Sequence, residues 1–204
     1  MTTDTVALST AWIHQPACGK APARTLLVGA AVLSVRYHFG TQAFDLATHS
    51  TTVTDNPVET MTWLAERLHV PPTRLLLWRA EDIVVPSLIS ACETARDTLT
   101  AARLLRELEL TLDGELIDVA ESYGGRQATS FDAVSHEAGL PFKPMSKELL
   151  HEAHRTGCHG AIRAHLASRA MGTWRLWLKS RDDADALIAA TDARVATSPA
   201  EVRL

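Results

Sequence analysis

The stretch that decides the fold is Ile162–Lys179, IRAHLASRAMGTWRLWLK. Ile162, Leu166, Ala170 and Thr173 recur at three- and four-residue spacing, and Leu176 and Trp177 continue the stripe. That period predicts one long amphipathic helix that lays an apolar face on the rest of the chain. The stretch is also basic. Between Lys143 and Arg181 stand eight basic residues (Lys143, Lys147, Arg155, Arg163, Arg169, Arg175, Lys179, Arg181) against Glu148 and Glu152, which gives 8 − 2 = +6. Two readings fit such a run: a solvated helix face, or a surface that meets phosphates.

Outward from this helix, the N-terminal third reads as strands. Thr5–Ile13 is β-branched and apolar, Thr25–Arg36 is almost continuously apolar as suits a strand buried on both faces, and Gln42–His49 follows. His14–Arg24, with Pro16, Gly19 and Pro22, predicts a loop. Asn56 is the expected N-cap of a helix running to about Leu68, with Pro57 at its first position and Glu59 three residues past the cap. Arg74–Trp78 is a short strand. Helices are expected from Pro86 through Ser87–Thr98 and over Ala101–Leu110. Leu116–Tyr123 is a short helix or a strand–helix junction. Ser130 and Ser146 are placed to cap helices Phe131–Ala138 and Lys147–Arg155, ended by Gly139 and Gly157. Arg181–Ala190 continues the long helix or forms another, and Thr191–Leu204 is expected to be a frayed tail. Strands first and helices interleaved later predict an α/β domain with a mixed sheet flanked by helices, over residues 1–190, with 191–204 as a flexible tail.

Composition bounds the function more loosely. The chain has 204 residues and a net charge of −4, which by itself points to no polyanion. Three cysteines, Cys18, Cys92 and Cys158, show no paired spacing and argue for a reducing compartment. The N-terminus lacks a signal-peptide pattern, and the longest apolar run, Leu26–Leu33, is far short of the ~20 residues a membrane span needs. These features predict a cytoplasmic protein without membrane contact. His151, His154, Cys158 and His159 are the right residue types for zinc, but Gly157 interrupts the helix that would align them. His14, His38, His49 and His69 read as surface or loop histidines.

Several short matches in order carry a resemblance. Ile117-Asp118-Val119 stands where a DL dipeptide would, Ser130-Phe131-Asp132-Ala133-Val134 and Gly139-Leu140-Pro141-Phe142-Lys143 follow, and the helix with Ile162, His165-Leu166, Arg169-Ala170 and Thr173-Trp174 comes next without a gap. Upstream, Leu77–Leu88 aligns through Pro86 and Leu88, and Leu8–Trp12 is the candidate first strand motif. Together these resemble the 3′–5′ exonucleases related to the exonuclease domain of family B DNA polymerases, a DnaQ-like, RNase H-like group. The resemblance spans about Val6–Lys179 and is densest over Leu116–Lys179.

That family uses two divalent cations, Mg²⁺ or Mn²⁺, held by four acidic residues, with a Tyr that positions the attacking water. Position by position, the acidic pair of the first strand falls on Ser9 and Ala11, a third acid on Val84, the last on Arg169, and the Tyr on His165. The Asn-Gly turn falls on Arg79-Ala80. Asp118 is retained but lies outside the metal set and reads as structural. The resemblance therefore implies an RNase H-like fold without its metal chemistry: an inactive exonuclease with no catalytic residue and no cofactor. Its cleft would hold a nucleic-acid strand through Arg79 and Arg169, with Lys143 and Arg163 extending the path and Trp78 stacking on a base. Three alternatives stay open. Arg79 and Arg169 pair with Glu81, Asp82 or another acid and merely fill the site. Glu81 or Asp82 slides in as a displaced ligand and the enzyme is active. Or the chain is a scaffold for a protein partner, through Trp174, Trp177 and the segment Ala184–Leu204, the two tryptophans reading equally as core aromatics.

Overall fold

The computed structural model describes residues 3–19, 22–38, 41–142, 144–181 and 184–197. Five strands form one sheet: β1 (Thr3–Gln15), β2 (Arg24–His38), β3 (Thr41–Ser50), β4 (Arg74–Leu77) and β5 (Glu115–Asp118), in the order β3-β2-β1-β4-β5. The first three are an antiparallel meander, while β4 and β5 run parallel to β1. The expected mixed sheet is therefore present, with β1–β3 longer than hydropathy alone marks and β4 one residue shorter than expected.

Seven α-helices cover the sheet: α1 (Glu59–Leu68), α2 (Val85–Glu93), α3 (Thr98–Leu112), α4 (Phe131–Glu137), α5 (Lys147–Arg155), α6 (His159–Lys179) and α7 (Asp185–Thr197). One face of the sheet buries Val6, Leu8, Leu27 and Val32 against Met61, Leu64, Leu88 and Leu104 of α1–α3. The other buries Ala7, Ala11, Ala31 and Leu33 against Ile162, Leu166, Ala170 and Trp174 of α6. The stripe predicted for α6 is thus its sheet-facing side. Gly29 of β2 lets it come close, because a methyl there would lie 2.6 Å from Leu166 Cδ1 and 3.1 Å from Ile162 Cγ2.

Some boundaries differ from the sequence expectation, each for a local reason. Asn56 does not cap α1; its Oδ1 accepts from Val58 N in a turn, and the helix begins at Glu59. The expected helix to Thr98 stops at Glu93, because Asp97 starts a new one by accepting from Leu99 N and Thr100 N. The Leu116–Tyr123 segment is the junction form, a strand followed by a 3-10 turn over Val119–Tyr123. Helix α7 runs past residue 190 to Thr197, anchored where Trp174 Nε1 donates to Thr191 Oγ1 at 3.1 Å. The rest of the expected tail, 198–204, lies outside the described residues. Trp174 and Trp177 are core, 0% and 6% exposed, so they offer no surface to a partner. Among the described residues no helix is long and apolar enough to cross a membrane.

Candidate functional site

Strand β4 pairs with β1 only over Thr5–Ala7. Beyond Ala7, β1 runs on with that edge uncovered, and the chain leaving β4 turns away over Trp78 and Arg79. In open α/β sheets, ligands settle in crevices outside the carboxyl ends of the parallel strands. β1 and β4 are neighbouring parallel strands, and their carboxyl ends diverge after Ala7 and Leu76. A cleft of about 350 Å³ opens there. Leu8, Ser9, Thr10 and Trp12 of β1 line it, with Trp78 and Arg79, Ile83 and Val84, Phe131 and Asp132 of the α4 region, Lys147 of α5, and Arg169 and Thr173 of α6.

The turn carrying Arg79 is built by Asp118. Its Oδ1 accepts from Arg79 N at 2.8 Å and Ala120 N at 3.0 Å, and its Oδ2 accepts from Ala80 N at 2.7 Å. Arg79 is held in the left-handed region at φ 57, unusual for a side chain with a Cβ. A π turn over Ala80–Val84 follows, in which Val84 N donates to Arg79 O. Asp118 is therefore structural. The left-handed backbone at position 79 carries an arginine.

The cations of the cleft are only loosely paired. Arg79 Nη2 donates to Arg126 O at 3.1 Å and lies 3.9 Å from Asp82 Oδ2, while its Nε is buried with no partner. Asp82 instead receives Arg126 Nε at 2.9 Å. Arg169 Nη1 lies 3.7 Å from Asp132 Oδ1, and its guanidinium carbon stands 4.4 Å from the Phe131 ring centre, a cation–π contact. Burial works against the Arg169 charge and Asp132 works for it, so its pKa is lowered from the usual value; arginine stays charged through such shifts. Ser9 Oγ, on the cleft wall, and Thr10 Oγ1 are buried without a hydrogen-bond partner.

Ser9, Trp78, Arg79, Val84 and Arg169 thus meet in one cleft, from positions up to 160 residues apart. The other named residues do not join them. Ala11 is packed in the sheet core against α6. His165 faces away, beside Phe142, with ring centres 5.7 Å apart, and lines a separate apolar hollow with Pro144, Leu149 and Cys158. Arg163 points to the end of β3, where its Nε donates to Ser50 Oγ at 3.2 Å. Lys143 lies outside the described residues. Trp78 is 6% exposed and packed against Tyr123 and Phe131, so it is wall and not a stacking platform. Half-buried Trp12 also lines the cleft and packs against the core under α1–α3. Lys147, Asp132 and Trp12 went unnoticed as cleft residues, though Lys147 belongs to the basic run.

That basic run does not form one surface. Arg155 pairs with Glu152, Arg175 with Asp192 at 2.6 Å, and Arg181 stands over Trp177. Among the described residues of the run, only Lys147 and Arg169 line the cleft.

The donor set does not fit a pair of divalent cations. Such ions need several carboxylate oxygens, and the cleft lining supplies one acid, Asp132, beside Arg79, Lys147 and Arg169. Glu81 is absent from that lining and Asp82 is turned to Arg126. Among the described residues no group of three or more His, Cys, Asp or Glu is placed to hold a metal, the histidine cluster of 151–159 included.

His159 forms a second polar cluster. Its Nε2 lies 3.3 Å from Asp55 Oδ2, and its Nδ1 lies 3.2 Å from Ser50 Oγ and 3.1 Å from Ser50 O. The order serine–histidine–aspartate invites a nucleophile reading. It fails because Ser50 is 2% exposed, with no access for a substrate. The cluster ties β3 and the Asp55 turn to the start of α6.

No family model matches the chain, and no curated protein and no solved structure matches it.

Proposed function

We propose that this chain is an RNase H-like, exonuclease-type domain that has lost metal-dependent cleavage and binds a nucleic-acid strand in the cleft beside β1. The carrying observation is convergence: Ser9, Arg79, Val84 and Arg169, named by their alignment to family site positions, line one cleft. The strand order, a meander followed by two strands parallel to the first, supports the same fold assignment. The loss of chemistry rests on the donor set. One carboxylate among three cations repels divalent metal and attracts phosphate. The guanidinium groups of Arg79 and Arg169 offer planar donor forks of the kind that bind phosphate oxygens.

The test is a paired assay on the purified chain with 3′-labelled single-stranded DNA and RNA, in Mg²⁺, in Mn²⁺ and in EDTA. Retention without shortening, unchanged by EDTA and weakened by salt and by Arg169→Ala, is the expected result. Metal-dependent shortening that a cleft mutation abolishes would overturn the inactive reading. Absence of retention on either polymer would overturn strand binding.

A further inference from the structure

We propose that the anion this cleft selects is a phosphomonoester, the phosphorylated end of a strand, and that it is held without metal. The inference rests on the strand-binding reading above and adds which part of the strand is recognised.

Charge comes first. Arg79, Lys147 and Arg169 line the cleft against Asp132 alone, which leaves 3 − 1 = +2. A phosphomonoester carries about −1.5 to −2 near pH 7, so it balances the cleft, whereas each internal phosphodiester brings a single negative charge and leaves the cleft positive. Hydrogen bonding agrees. Ser9 is 6% exposed, its hydroxyl has no partner, and it sits on the cleft wall. Arg79 Nε, also on the wall, is likewise buried and unpartnered, while Thr10, the next residue of β1, turns its hydroxyl to the α1–α3 side of the sheet. Buried polar groups are nearly always satisfied; the two unsatisfied donors beside this basic hollow, Ser9 Oγ and Arg79 Nε, are groups that a phosphate oxygen can accept from. Size points the same way. A cleft of about 350 Å³ is at the small end of ligand sites, ~300–1,000 Å³, room for one nucleotide end and not for a run of strand.

The same chemistry has two sources, a strand end and a free mononucleotide, and the experiment separates them. Binding of the intact chain is measured in EDTA to one short labelled oligonucleotide in three forms (5′-phosphorylated, 3′-phosphorylated and unphosphorylated), as DNA and as RNA, with adenosine monophosphate and inorganic phosphate as competitors. One phosphorylated form is expected to bind about tenfold or more tighter than the unphosphorylated one, as charge-assisted hydrogen bonds gained by one partner imply. Ser9→Ala and Lys147→Ala are each expected to shrink that preference severalfold. Lys147 is exposed at the start of α5, so its loss leaves the fold intact; thermal melts of both variants check this. Equal binding of all three forms would overturn the inference and leave strand binding standing. Binding of the monophosphate with no oligonucleotide bound would uphold the phosphate site and overturn strand binding. Silence of every probe would overturn both.

Discussion

Asp118→Ala removes one carboxylate and three backbone hydrogen bonds, to Arg79 N, Ala80 N and Ala120 N. Hydrogen bonds to a charged group contribute roughly 1.5–3 kcal/mol each. Because the three share one acceptor group they do not add fully, and the expected loss is about 3–5 kcal/mol. For a chain of this length that lowers Tm by roughly 2–4 °C per kcal/mol, on the order of 10 °C. Asp118→Asn is expected to cost less, about 2 kcal/mol, because one oxygen still accepts while an amide N–H opposes a backbone donor. Urea unfolding of the three proteins measures this directly. The same carboxylate holds Arg79 at φ 57, so Arg79→Val, a β-branched residue in that region, is expected to destabilise by about 2 kcal/mol, while Arg79→Gly stays within about 1 kcal/mol of the parent. A loss below about 1 kcal/mol for Asp118→Ala, or equal stability of the Val and Gly variants, would refute the clamp.

Gly172→Ala places a methyl 2.8 Å from Phe131 Cζ; the ring under Arg169 must shift, with an expected cost of about 1–3 kcal/mol by chemical unfolding and weaker ligand retention in the cleft. Stability should fall as pH drops from about 6.5 toward 5. Burial, with Arg163 beside His49 and His151 beside His154, lowers the pKa of both histidines, so below the ordinary value near 6.5 the unfolded chain binds more protons than the folded one. Melts of His49→Gln and His154→Gln across that window should show a flatter slope, and an unchanged slope in both would refute the assignment. Cys18 and Cys158 are exposed, whereas the thiol of buried Cys92 is pushed up to about 11. A thiol reagent at pH 8 should therefore label two cysteines quickly and the third only on unfolding; rapid labelling of all three would contradict the packing under α2.

Legibility from sequence followed the range of the interactions. The strands β1–β3 and the helices α4–α6 were visible because hydrophobic period and serine caps are local. The same local chemistry, read less closely, held the Asp97 cap that splits α2 from α3. The cleft was legible only in part. Ser9, Arg79, Val84 and Arg169 were named through the order of family-like motifs, yet His165, one turn before Arg169 on the same helix, lines a different hollow. Arg163, two residues before His165, reaches the opposite end of β3. Two positions along a helix turn the side chain by about 160°, which parts Arg163 from His165; His165 and Arg169, one turn apart, are parted instead by the segments packed beside each of them.

The sequence by itself determined the alternation of strands and helices and the sheet-facing stripe of α6, since each depends on residue type and spacing along one segment. Only the tertiary structure decided which cations share a cleft, that Asp118 fixes the left-handed turn at Arg79, and that Trp174 and Trp177 are core. Those outcomes depend on where β4 stops pairing with β1 after Ala7 and on how α6 is rotated over the sheet. Both are set by packing between segments far apart in the chain, so no single segment encodes them.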